Sequence, residues 1–350
     1  MKILKLNRWW LYKVSPLLGI AYLFIYVNKI TPENTAYLLF WFLVAVTGIA
    51  GTGYFINDFF DRKSDILSGK QNMVAVLSLF NRLLLLFILL TISAIPWFFL
   101  PHPPLVFILI GVQFLFFILY SHPLTRFKEK TFLGVISDAL YGHIIPFLLT
   151  AIIFTSIFPH SRTPALPYSQ YILILVLGTG WQFIKGLRNI LLHQIDDRKN
   201  DRKAGFSTFV LKIGPLKTIN SINRIILPVE LITFVGVLIV VSLNIPYFYL
   251  WFLFFLIWSF FLFSVYRIRT VPVRQFRVKF LFFFNDFYEM WMPVVAAGYL
   301  AYCDKWFIVI ILLHVILFNK IPVKIFNDFR IIVRNLITFF KVDIKKTNPV

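Results

Sequence analysis

The sequence predicts an all-α, multi-pass membrane protein with about nine to ten transmembrane helices, each needing roughly 20 apolar residues. Three observations carry that prediction. Hydrophobic residues make up 59% of the 350 and charged residues only 14%, against roughly 25% charged in a soluble domain. The mean hydropathy is +0.80, and the 42 Phe and nine Trp exceed what one aqueous core would bury. Apolar stretches recur along the whole chain, separated by short basic connections. Together these exclude a soluble enzyme, a disordered tail and a secreted mini-domain.

The elements follow in order. The basic N-terminus, MKILKLNRWWLYKVSPLL, has no small-residue cleavage site after its first apolar stretch and is expected to be a retained cytoplasmic end. Expected spans are 12–28, 36–56, 82–100, 104–120, 132–155, 170–190, 225–243, 246–266, 281–302 and 306–319. The last is short for a full crossing. Alternate connections, 1–13, 57–82, 121–131, 185–224, 267–279 and 319–350, hold 32 of the 35 Lys and Arg. The intervening ones hold only Lys29, Arg162 and Lys305. This partition puts the basic set in the cytoplasm and accounts for the net charge of +20 without nucleic acid. Residues 1–305 are expected to form the main helical domain. Residues 306–350 add a short hydrophobic segment and a tail mixing Ile, Phe and Val with Lys and Arg, read as an interfacial helix. The single cysteine, Cys303, excludes an internal disulfide and a cysteine-based metal cluster.

Six of the 15 acidic residues fall in two short stretches, Asn57–Asp65 and His193–Asp201. At about 100° per residue, Asp58, Asp61 and Asp65 share one helix face, and Gln194, Asp197 and Asp201 repeat the offsets. Like charges at that spacing repel, so concentrating scarce carboxylates at a membrane mouth points to a bound cation. Oxygen ligands without a Cys or His cluster suit Mg²⁺, with Mn²⁺ as the alternative. Magnesium commonly bridges one or two carboxylates to substrate phosphates, so facing clusters would clamp a diphosphate. A weak internal echo precedes each cluster, Gly51-Thr52-Gly53 and Gly178-Thr179-Gly180.

On these residues the chain resembles a known family. N-D-x-x-D-x-x-x-D at 57–65 is similar to the first aspartate motif of the UbiA superfamily of intramembrane prenyltransferases. Asp197-x-x-x-Asp201 followed by Arg202-Lys203-Ala204-Gly205 resembles its second motif, and Tyr120–Lys128 resembles its tyrosine-and-basic loop. Gln194 stands where many members have Asp, and the chain beyond 305 extends past the family's usual nine helices. The resemblance implies a helical bundle around a central cavity and a Mg²⁺-dependent prenyltransferase. Its donor would be a polyprenyl diphosphate and its acceptor a lipophilic molecule, aromatic or a quinone precursor. It implies metal ligation by Asp58, Asp61, Asp65, Asp197 and Asp201. Expected substrate contacts are Asn57, Lys70, Tyr120, Arg126, Lys128, Lys185, Arg188 and Gln194.

Asp138, with Tyr141 and His143, lies early in the fifth expected span, where ionisable groups are costly and usually functional. It is the candidate for steering or deprotonating the acceptor. Glu230 is isolated and receives no role. The alternative class is a transporter or other cation-binding membrane protein, but transporter sites tend toward the bilayer midplane, whereas these clusters sit at helix ends. The expected location is a bacterial cytoplasmic membrane with the site loops facing the cytoplasm. Membrane lipid is the expected surrounding, and no obligate protein partner is indicated.

Overall fold

The computed structural model describes residues 6–67, 69, 71–156, 166–203, 205–268 and 283–347. The chain divides into two compact units, residues 1–245 and 246–350. Among the described residues every regular element is helical.

In the first unit, a short helix (Leu6–Trp9) leads through a π turn into α1 (Ser15–Val27). There follow α2 (Pro32–Leu67), α3 (Leu79–Ala94) and α4 (Pro104–Ser121). α5 (Thr131–Ala139) continues through a π turn into α6 (Ile145–Thr155). α7 (Tyr168–Lys203) precedes two short helices, α8 (Phe209–Ile213) and α9 (Pro215–Ser221), and a π turn leads on into α10 (Leu227–Ser242). Proline explains the π turns. Trp10–Val14, Leu140–Ile144 and Ile222–Ile226 each run into a helix with Pro in its first turn, at Pro16, Pro146 and Pro228. Proline has no N–H for the carbonyl four residues back, and its ring collides with that carbonyl. The helix absorbs both problems by taking in an extra residue, a wider turn often found at functional sites.

Small residues let the helices approach, as in other membrane bundles. A Cβ added to Gly53 would come within 2.7 Å of the Phe117 ring, and one on Gly178 would strike Phe147. The glycine echo of the sequence therefore serves the same end twice, seating an aromatic ring against a helix. Trp181 of α7 meets Phe234 of α10 at 4.9 Å between ring centres.

The second unit contains α11 (Phe248–Ile268), a turn of helix at Phe283–Asp286, a π turn at Phe287–Trp291, and α12 (Met292–Cys303). Pro293 follows that π turn as well. α13 (Ile308–Leu317) and α14 (Lys320–Thr347) complete it. Its core is aromatic: Phe255 packs on Phe283, Phe287 and Trp291, and Trp258 stacks on Phe329 of α14. Asp286 pairs with Lys324, also of α14.

The described helices account for part of the expected spans. Among the described residues, six helices are long and apolar enough to cross a membrane: Trp10–Val27, Pro32–Ile66, Leu79–Phe98, Pro104–Ser121, Thr131–Thr155 and Pro215–Ser242. The expected 170–190, 246–266 and 281–302 are not among them, and within the second of these Phe248–Leu262 is a shorter apolar helix. Gln182, Lys185 and Arg188 in α7, and Asn285, Asp286 and Glu289 ahead of α12, are buried or turned to protein partners, and polar groups lower hydropathy wherever they point. Segment 306–319 does not cross as one straight helix. α13 has ten residues, a rise of roughly 15 Å against a core of about 30 Å, and an 81° bend separates it from α14.

Candidate active site

Both acidic clusters sit on the last turns of 36-residue helices, the first on α2 and the second on α7. The loop between α4 and α5 joins them. It begins at Ser121, whose Oγ donates to Asn57 Oδ1 at 3.3 Å. Arg126 adopts the left-handed conformation, φ +43°, which costs a non-glycine residue of order 1–2 kcal/mol. That turn brings Lys128 into an ion pair with Asp61 and Arg126 Nη2 to 3.9 Å from the same oxygen, while Arg126 Nε lies 2.7 Å from Glu129 Oε1. On its other side the loop meets the chain following α7: Arg126 and Lys128 lie over the Phe206 ring, and Phe132 packs on Phe209. The Tyr120 phenol lies within electrostatic reach of Asp61 and Asp201, one carboxylate from each cluster, and of Asp138.

In the first cluster, Asp58 is only 2% exposed and Asp61 is also buried. Asn72 secures the end of α2: its Nδ2 donates to the Asp58 carbonyl and to Asp65 Oδ2, each at 2.8 Å, and its Oδ1 accepts from the Val74 and Ala75 N–H groups. Arg82 donates to the carbonyls of the same two residues. In the second cluster Asp201 is buried and Asp197 exposed. Lys70 lies outside the described residues.

Beside these clusters a cavity of about 320 Å³ runs into the first unit. Its polar wall includes Lys13, Asn57, Tyr120, Asp138, Tyr141 and Lys185, and its apolar wall includes Phe42, Val46, Ile49, Leu149 and Ile153. Tyr141 donates to Asp138 Oδ1 at 2.8 Å, and its ring meets that of Tyr120. The π turn before Pro146 shapes this wall. Pro146 cannot donate to the Gly142 carbonyl, and the Lys13 ammonium does so instead at 3.2 Å, reaching His143 Nε2 at 3.1 Å as well. Gln113 Nε2 donates to the neighbouring Tyr141 carbonyl at 2.7 Å. Lys13 is a site residue that sequence reasoning missed, although a lysine within expected span 12–28 was a readable signal.

Two expected substrate contacts are engaged by protein partners. Arg188 is fully buried and grips Glu230, Nε to Oε2 at 2.6 Å and Nη2 to Oε1 at 2.8 Å. Its fork is engaged by a carboxylate on α10 rather than offered to a phosphate. The buried Gln194 uses its Oε1 to accept the Val210 N–H at 3.2 Å, capping α8.

Among the described residues, no three acidic, histidine or cysteine side chains converge on one point. An all-protein metal cage is thus not formed, but magnesium seldom uses one, taking one or two carboxylates and completing its shell with phosphate and water. The hard oxygens of Asp58 and Asp61, one turn apart, and of Asp201 fit that requirement.

The profile of the UbiA prenyltransferase family matches residues 14–287. A structure from work on digeranylgeranylglyceryl phosphate synthase is similar at 16% identity, covering 84% of this chain and 94% of that one, with a TM-score of 0.51. A UbiA homologue from Archaeoglobus fulgidus bound to GPP and Mg²⁺ is similar at 17% identity, covering 82% and 97%, with a TM-score of 0.49. No curated protein matches the sequence. At 16% identity the likeness to the first of these structures speaks to fold alone. The profile runs through both acidic clusters and the loop between them, over more than half of the chain, and so the protein belongs to the UbiA prenyltransferase family and is a membrane prenyltransferase.

Proposed function

We propose that this prenyltransferase takes a polyprenyl diphosphate as donor and passes its isoprenoid group to a lipophilic acceptor, aromatic or a quinone precursor. The observation that carries the reading is one basic loop that meets Asp61 of the first cluster and Phe206 just beyond the second, beside a cavity that turns apolar. Asp58, Asp61, Asp197 and Asp201 would hold Mg²⁺, or Mn²⁺ in its place. When bound, such an ion neutralises charge developing on the departing diphosphate. Asp65, one of its oxygens held by Asn72, would act at the edge of that set.

The remaining work falls to the chain's own groups. Arg126 and Lys128 meet phosphate oxygens at the mouth, Arg in two-pronged fashion and Lys as a point charge. Asn57, Tyr120 and Lys185 line the path inward, and Lys13 adds a second cation to that wall. Fixed charges in a water-poor site act without reorganising as the diphosphate leaves. The apolar wall receives the isoprenoid tail and keeps water from the cation-like allylic carbon. Asp138, held by Tyr141, faces the same cavity and steers or deprotonates the acceptor.

The catalytic bundle is assigned to residues 1–305, with 306–350 as an addition. The 32-to-3 division of Lys and Arg orients both clusters toward the cytoplasm of a bacterial cell. In a Cys303→Ser background, a cysteine at Ser207 should be shielded from an impermeant thiol reagent added outside; labelling there would reverse the topology. The direct test is transfer of a radiolabelled prenyl group, in membranes, to a panel of quinone precursors and other lipophilic acceptors. Transfer to none of them, with the donor intact, would overturn the proposal.

A further inference from the structure

We propose that Phe206 is a positioning residue that holds Arg126 and Lys128 at the mouth of the site; the inference rests on the donor reading above. α7 ends at Gly205, φ +73°. The Gly205 N–H donates to the Arg202 carbonyl at 3.2 Å and the Phe206 N–H to the Asp201 carbonyl at 3.0 Å. This pair of bonds is the Schellman ending, and only glycine takes the left-handed position cheaply. Phe206 is thereby tied by its backbone to Asp201, whose carboxylate belongs to the second cluster.

Its ring reaches toward the first. The Arg126 guanidinium lies 5.4 Å and the Lys128 ammonium 5.7 Å from the ring centre, within the range of cation–π attraction. The same two cations meet Asp61. Two like charges side by side repel, and long basic side chains at a membrane edge have many rotamers to occupy. The negative face of the ring and the Asp61 carboxylate both offset the repulsion. When phosphate oxygens draw the cations off Asp61, the ring still keeps them in place. Phe206 touches no reacting atom; it acts through the two residues that would.

Leucine keeps apolar bulk but removes the π face, which separates this role from simple packing. With the full chain in detergent, Phe206→Leu should raise both KM for the prenyl diphosphate and the calorimetric Kd for inorganic pyrophosphate by about threefold to tenfold, leaving kcat within about twofold. Phe206→Trp should restore both, with an unchanged unfolding midpoint. In an Arg126→Gln/Lys128→Gln background, Phe206→Leu should add nothing further. Phe206→Met serves as the second apolar variant should the leucine protein not fold. Wild-type KM and Kd in a folded leucine or methionine variant would overturn the inference. So would failure of tryptophan to restore them, or an equal loss in the double-glutamine background. A wild-type protein that binds pyrophosphate but transfers no prenyl group would sink the donor reading alone, because the pyrophosphate arm still tests Phe206.

Discussion

At Asp58, Asp61 and Asp65 the carboxylates themselves are gripped, Asp61 by Lys128 and Arg126 and Asp65 by Asn72. The helix that carries Asp197 and Asp201 is also tied farther back. Arg188 binds Glu230 three turns below, and Gln194 binds the backbone of α8. The ties described for the first cluster thus reach its carboxylates, and those described for α7 lie farther down that helix. The difference teaches that two matching patterns in a sequence need not be held in place by matching means.

The largest effect expected is from metal removal, which acts on both clusters at once. EDTA should abolish prenyl transfer and added Mg²⁺ restore it; full turnover in metal-free buffer would remove the chemistry assigned to either cluster. Next comes the scaffold of the second. Glu230→Ala leaves the Arg188 charge buried without its carboxylate, a loss of roughly 3–5 kcal/mol, whereas replacing both partners with leucine is often near neutral. Thermal unfolding in detergent should show that order. Equal stability of the single and double variants would mean that the pair does not anchor α7.

Asp58→Asn, Asp61→Asn, Asp197→Asn and Asp201→Asn should each lower turnover by at least about tenfold, equal to about 1.4 kcal/mol of barrier. Loss confined to the first pair would show that the second cluster is not a metal site. Gln194→Ala should cost roughly 1 kcal/mol in unfolding, the worth of one ordinary hydrogen bond. The smallest effect belongs to Asp196→Asn. Residue 196 is exposed and lies about 100° from the face of Asp197, so a turnover loss matching that of Asp197→Asn would mean the face is assigned wrongly.

The clusters were legible because carboxylates are scarce in this chain and their spacing is local. Asn57, Tyr120, Asp138 and Lys185 were likewise placed on the cavity that the fold encloses. What could not be read was tertiary. Arg188 looked like a phosphate ligand because its partner, Glu230, lies 42 residues away on another helix. Gln194 was expected to meet substrate because no spacing rule reveals that a backbone N–H sixteen residues on will claim its oxygen. Lys13 and Phe206 enter the site from segments with no motif of their own.

The prolines that follow the π turns have a consequence for how these helices can change over time. A π turn carries one residue more than the α turn it replaces, so everything beyond it is rotated by about 100° relative to an uninterrupted helix. Across Leu140–Ile144 the part of the span with Asp138 is therefore out of phase with the part after Pro146, whose Leu149 and Ile153 line the same cavity. The two parts keep separate periodicities, much as a splice lets two threads of different lay share one rope. Substitutions that tune the half toward the tail-binding region need not disturb the faces that carry the chemistry.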